Sequence, residues 1–265
     1  MYEKWKGVHT RCAFNMIQEL IPLTRPRTLA AALGPTILGA AFSYYAFGAA
    51  QGTGLAIFHT VLIFLAVVTA QIVANLWNEY KDFKSGLDAG QKVGNAGSIT
   101  RGVITPELII TMIKVLMFVP IIIGLYLSAT ITWYYIPVGF LCILISFLYS
   151  GGPKPISRTP FGEISSGIAM GFAIVLITGY AWIRELSLAL LIPAIPSTLL
   201  VGSIMLTNNI RDIRNDESHG RHTLPIVLGR ERALSLMSIS YIFNFIWIIA
   251  WIIVCLLYTS PSPRD

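Results

Sequence analysis

The stretch N-L-W-N-E-Y-K-D-F-K-S-G-L-D, residues 75–88, follows directly on an apolar run from 55 to 74. A hydrophobic segment therefore ends, within a few residues, in amides, carboxylates and lysines. On a helix, Asn75, Asn78, Glu79 and Asp82 fall at i, i+3, i+4 and i+7, so their oxygen-bearing side chains share one face. If the helix persists to this point, Glu79 and Asp82 stand at its C-terminal end, where the macrodipole disfavours anions and a positive partner is expected. Lys81 and Lys84 point away from that face, and a hard divalent cation with oxygen ligands answers the requirement better. Gly86 permits a turn that returns Asp88 toward the same ligands.

A second stretch, N-N-I-R-D-I-R-N-D at 208–216, ends another apolar run far downstream. Asn208, Asp212 and Asp216 are spaced i, i+4, i+8, which on one continuous helix repeats the first arrangement. The expectation is that the two stretches converge on one site. Arg211 and Arg214, interleaved with the acids, have the alternative reading of a surface charge network. His219 and His222 lack the companions of a zinc site.

The surroundings of both stretches are those of a membrane. The chain has 265 residues, of which 55% are hydrophobic and 12% charged, with a mean hydropathy of +0.69. A soluble domain would carry about 25% charged residues. About seven segments are long and apolar enough to span about 30 Å of hydrocarbon: 28–47, 55–77, 108–128, 133–149, 162–183, 188–210 and 233–257. The fold class is all-α, a polytopic transmembrane helical bundle forming a single domain over 1–258. Pro193 and Pro196 predict a kink in the sixth span. Cys12, Cys142 and Cys255 are scattered, with neither metal-binding nor disulfide spacing.

The formal charge of +6 does not indicate nucleic acid, because its distribution is topological. Of the 19 Lys and Arg residues, 16 lie on the N-terminal arm and on the loops after the second, fourth and sixth spans. The positive-inside rule places these segments, and both carboxylate stretches, in the cytoplasm of a multi-pass protein of the cell membrane. Residues 1–24 lack the apolar core and small-residue cleavage site of a secretory signal.

Further candidates lie on the basic loops. Arg27, in R-P-R-T-L, suits phosphate recognition. Residues 89–105, rich in Gly and carrying Lys92 and Arg101, read as a flexible loop that closes over an anion. Tyr149, Lys154 and Arg158 flank the turn after the fourth span. Thr105, Pro106 and Glu107 mark a helix start. Glu163 opens the fifth span, where an acid simply complements the helix dipole.

The paired stretches resemble the two aspartate-rich motifs of the UbiA superfamily of intramembrane prenyltransferases, and the resemblance runs from R-P-R-T-L through the seventh span. N-x-x-N-E-x-x-D-F and the G-x-D ending at Asp88 resemble the branch that prenylates 1,4-dihydroxy-2-naphthoate in menaquinone biosynthesis. Glu79 departs from the Asp of many relatives but keeps a carboxylate. The resemblance implies Mg2+ held by Asn78, Glu79, Asp82, Asp88, Asn208, Asp212 and Asp216, bridging to a polyprenyl diphosphate. Asp82, Asp212, Lys92 and Arg101 are the implied catalytic residues. Asn75, Asn78, Arg27, Tyr149, Lys154, Arg158, Asn208 and Arg211 are the implied substrate contacts. The diphosphate leaves, an allylic cation forms in an apolar chamber, and a ring carbon of the aromatic acceptor attacks. The acceptor then loses a proton and, in that branch, its carboxylate. The lipid bilayer is the remaining partner, and no nucleic acid is expected.

The alternatives are another branch of the superfamily with a different acceptor, or a secondary transporter. The absence of an internal repeat, and the gathering of acids at one membrane face, weigh against transport. Nine spans are typical of the superfamily, so the ending after seven, with the polar tail at 259–265, reads as truncated or foreign.

Overall fold

A computed structural model of the chain describes residues 21–86, 98–100, 102 and 104–259. Among these, all regular structure is helical. The long helices are α1 (Ala30–Phe47), α2 (Thr53–Ser85), α3 (Pro106–Thr130), α4 (Tyr135–Ser150), α5 (Gly162–Ile183), α6 (Leu191–Arg211) and, after two short helices, α9 (Arg230–Thr259). The short ones are α7 (Ile213–Ser218) and α8 (Leu224–Leu228).

Among the described residues, six helices are long and apolar enough to cross a membrane. The fourth expected span, 133–149, is α4 and has only 16 residues, about 24 Å at 1.5 Å per residue. Its start is delayed because residues 131–134 form a turn rather than a helix. Large apolar side chains face outward along these helices, including Phe118, Phe140 and Phe245. Such a surface needs lipid rather than water around it. The protein is an integral membrane protein.

The chain forms two compact units. One comprises Met1–Leu33 and Val61–Pro155, the other Gly34–Thr60 and Ile156–Asp265. In the first, α2 packs its apolar face into a core of Leu23, Val73, Leu76, Ile99, Ile104, Ile109 and Ile113. Trp77 joins α2 to α4: its indole N–H donates to the carbonyl of Phe147 at 3.0 Å, and its ring meets that of Phe147 edge-on. Thr105 caps α3 as its sequence predicts, its hydroxyl accepting from the N–H of Leu108, with Pro106 at the first helical position. Of the segment 89–105 expected to be a flexible loop, residues 98–100, 102, 104 and 105 are described. Ser98, Ile99 and Ile104 are buried, because the two isoleucines insert into the core.

The second unit is built on close contact between α5 and α6. Cβ atoms added at Gly167 and Gly171 would lie 2.6 and 2.5 Å from the backbone of Thr198, so only glycine allows this approach. Over Gly167–Phe172 the helix widens to π geometry. The hydroxyl of Ser197 donates to the carbonyl of Gly171 at 3.2 Å. At the far end of α5, Arg184 adopts a left-handed conformation (φ 61°) and its guanidinium donates to the side-chain carbonyl of Gln51. The Gln51 amide in turn reaches the carbonyl of Ala181 at 2.7 Å and the Nδ1 of His59 at 3.0 Å. α9 packs on α6 through Ser203 and Ser240, whose hydroxyls are 3.1 Å apart, and through the indole of Trp247, which donates to the carbonyl of Ile192.

Candidate functional site

In the first unit, α2 runs unbroken to Ser85, so Asn75, Asn78, Glu79 and Asp82 do share the expected face. Lys81 and Lys84 lie over the rings of Trp77 and Tyr80, at 5.2 and 5.7 Å. These i, i+4 cation–π pairs hold the lysines on another side of the helix and support its polar end. Gly86 has φ 74°, the left-handed turn its position predicts.

The four oxygen-bearing residues are differently engaged. Asn75 is buried, and its amide donates to the carbonyl of Thr24 at 3.0 Å, tying α2 to the segment before the Pro26–Leu29 turn. The Oδ1 of Asn78 accepts from the hydroxyl of Ser150, at the end of α4. Glu79 is 1% exposed, and its Oε1 accepts from the backbone N–H of Ser98 at 2.8 Å, anchoring the returning loop. Asp82 is half-buried. Tyr149 is half-buried beside Ser150, and Lys154 is exposed on the turn that follows. Asp88, Lys92 and Arg101 lie outside the described residues, as does the side chain of Arg27.

The second cluster, in the other unit, crosses a one-residue break in its helix, although the N–H of Asp212 still donates to the carbonyl of Asn208 at 3.0 Å and that of Asp216 to the carbonyl of Asp212 at 2.9 Å. α6 ends at Arg211; Asp212 has φ −96° and ψ 9°, and α7 starts again at Ile213. The helix carrying Asn208, Asp212 and Asp216 is therefore distorted at its middle residue, while the i to i+4 bonds that join the three persist. Arg211 explains part of this: its Nε and Nη2 donate to the two oxygens of Asp212, each at 2.9 Å. The side chains of this pair are 70% and 45% exposed, and exposed pairs contribute about 0–1 kcal/mol. Asp212 can thus exchange Arg211 for a doubly charged partner at little cost. Asp216 differs, with its side chain 4% exposed and bonded to Arg221 Nη1 at 3.2 Å. Asn208 is half-buried and Arg214 exposed. Arg158 is half-buried, and its carbonyl accepts from the N–H of His222. His219 bonds the carbonyl of Asn215 at 2.8 Å, a local turn contact.

Glu163 has a larger place than its sequence position implies. It is 4% exposed, and its Oε1 accepts from the amide of Asn209 at 2.8 Å. The dipole of α5 explains an exposed acid in the first turn, not a buried one bonded to the last turn of α6. The available signal is an acid heading an apolar run, G-E-I-S-S-G-I-A-M-G, with no basic residue among the next ten.

Among the described residues, no three His, Cys, Asp or Glu side chains gather into a ready-made metal centre. Mg2+ does not require one, since one or two carboxylates plus phosphate oxygens and water complete its octahedron. Asp82 and Asn78 in one unit, and Asp212 and Asp216 in the other, offer donors of that kind.

The profile of the UbiA prenyltransferase family matches residues 32–263. The chain is 38% identical over 246 residues to the 1,4-dihydroxy-2-naphthoate octaprenyltransferase of Bacillus subtilis (strain 168), covering 90% of this chain and 75% of that protein. The protein of the same name from Mycobacterium tuberculosis (strain ATCC 25618 / H37Rv) is 30% identical over 247 residues, 91% of this chain and 82% of its own. Among solved structures, a UbiA homolog from Archaeoglobus fulgidus bound to GPP and Mg2+ matches with a TM-score of 0.63 at 17% identity, covering 93% of this chain and 80% of that one. That likeness concerns the fold.

Proposed function

Because this chain belongs to the UbiA prenyltransferase family, we propose that it transfers a polyprenyl group from a polyprenyl diphosphate to 1,4-dihydroxy-2-naphthoate, in menaquinone biosynthesis. The observation that carries the choice of acceptor is the 38% identity, over 90% of the chain, to the Bacillus subtilis enzyme of that name. Both carboxylate clusters are assigned to the diphosphate end of the reaction. Asn78, Glu79, Asp82 and Asp88, with Asn208, Asp212 and Asp216, hold Mg2+. The ion's chemistry is to neutralise negative charge on the diphosphate oxygens.

The remaining roles belong to protein side chains. Lys92, Arg101 and Arg158 take up charge on the leaving group as the allylic C–O bond breaks and its electron pair passes to the diphosphate. Arg27, Tyr149, Lys154 and Arg211 orient the substrates. Apolar helix faces exclude water from the allylic cation. The acceptor ring carbon forms the new C–C bond and regains aromaticity by losing a proton or, where it bears the carboxylate, CO2. Basic residues concentrated on alternate loops support a cytoplasmic site in the cell membrane.

The test uses purified protein in detergent with geranylgeranyl diphosphate and 1,4-dihydroxy-2-naphthoate, with products identified by mass spectrometry. Prenylated, decarboxylated product is expected with Mg2+ and none after chelation. Undiminished product after chelation would remove the metal from the reaction. Product with 4-hydroxybenzoate alone would reassign the acceptor.

A further inference from the structure

Glu163, in the first turn of α5, is a buried carboxylate that the roles above leave unused. It meets α6 within its unit. Asn209, in the last turn of α6, donates to its Oε1 at 2.8 Å, and Gly202 lets α6 come close, since a Cβ there would lie 3.3 Å from the Glu163 carbonyl oxygen. Asp216, seven residues beyond Asn209 on α7, is itself buried. The Asp216 carboxylate has Arg221. The Oε2 of Glu163 is buried and meets no hydrogen-bond donor among the described residues.

A buried carboxylate oxygen without a partner is an arrangement that proteins keep where something else supplies the positive charge. A cation satisfies such an oxygen, and a divalent ion of the Mg2+ class takes one or two carboxylates with the rest of its shell left to phosphate and water. We propose that Glu163 is a further cation ligand of the second cluster, acting with Asp216. This rests on the metal-dependent reading of the site and extends it to a residue outside both acidic stretches. Asn209 then has a defined role, because by holding Oε1 it turns Oε2 toward the ion.

The substitution that isolates the charge is Glu163→Gln, which keeps a side-chain carbonyl for Asn209. Binding of MnCl2 alone to the detergent-purified protein is followed by the electron paramagnetic resonance signal of the free ion. Thermal unfolding is recorded in parallel with excess EDTA. The expected results are at least tenfold weaker Mn2+ binding by Glu163→Gln at one site, and an unfolding temperature in EDTA equal to or above that of the unaltered protein, because a buried uncompensated charge has gone. Equal Mn2+ affinity in the two proteins would overturn the Glu163 proposal and leave the metal reading intact. A failure of the unaltered protein to bind Mn2+ would overturn both. A lower unfolding temperature for Glu163→Gln in EDTA would show that protein groups already satisfy its charge, and would overturn the proposal from the structural side.

Discussion

The two carboxylate clusters follow similar spacing in the sequence and opposite solutions in the structure. On α2 the helix continues through the polar residues to Ser85, whereas α6 stops at Arg211 and resumes as α7. The difference lies in what braces each end. Trp77 and Tyr80 each carry a lysine one turn later, and Trp77 is bonded to α4. Around the end of α6 the residues are Asn208, Asn209, Asp212 and Asn215, types that favour turns and caps over helix interiors. Asp212 also turns to its neighbour Arg211. Acid spacing therefore places an unbroken ligand face only where other side chains keep the helix wound.

This contrast can be attacked most strongly at the acids themselves. Asp82→Asn and Asp212→Asn are each expected to lower turnover about 100-fold or more while the circular dichroism spectrum is unchanged. Near-normal turnover in either variant would make that cluster structural. Gly171→Ala should act on the second unit alone, since the new methyl would stand 2.5 Å from Thr198 Cα. A loss of about 1–3 kcal/mol in detergent unfolding is expected from such overpacking. Asn75→Ala removes the amide bonded to Thr24 and should cost about 1 kcal/mol, the net worth of a part-buried hydrogen bond. Its Michaelis constants for both substrates should stay within about twofold, as befits a tie rather than a contact; a raised Michaelis constant with unaltered stability would return Asn75 to the substrate. The smallest effect belongs to the Arg211–Asp212 pair, whose coupling in a double-mutant cycle of unfolding should not exceed about 1 kcal/mol and should fade with salt.

Much of the first cluster is legible in the sequence because its cues are local. The phase of Asn75, Asn78, Glu79 and Asp82, the turn at Gly86 and the cap at Thr105 each need only a few neighbouring residues. The second cluster is half-legible: its residues can be named, but the break at Asp212 depends on side-chain preferences that spacing does not rank. Glu163 is easily misread because its meaning lies in Asn209, 46 residues away. An acid in a first helical turn has a sufficient local explanation, so nothing in the sequence prompts a search for a distant one. The docking of Ile99 and Ile104 is hidden for a similar reason, as two isoleucines in a Gly-rich loop reveal little until a core is there to receive them.

The widened stretch Gly167–Phe172 of α5 has a bearing on azimuth. Each π turn holds one residue more than an α turn, which offsets the side chains before it from those after it by about 100° about the helix axis. Glu163 lies before that offset, and Val175, which packs on Gly39, lies after it. Deleting one residue within 167–172 would restore ordinary winding and swing Glu163 away from Asn209 while the lower half of the helix kept its seat. The widened turn thus serves as a vernier, letting one helix satisfy a packing seam and a polar contact that uniform winding would hold out of register.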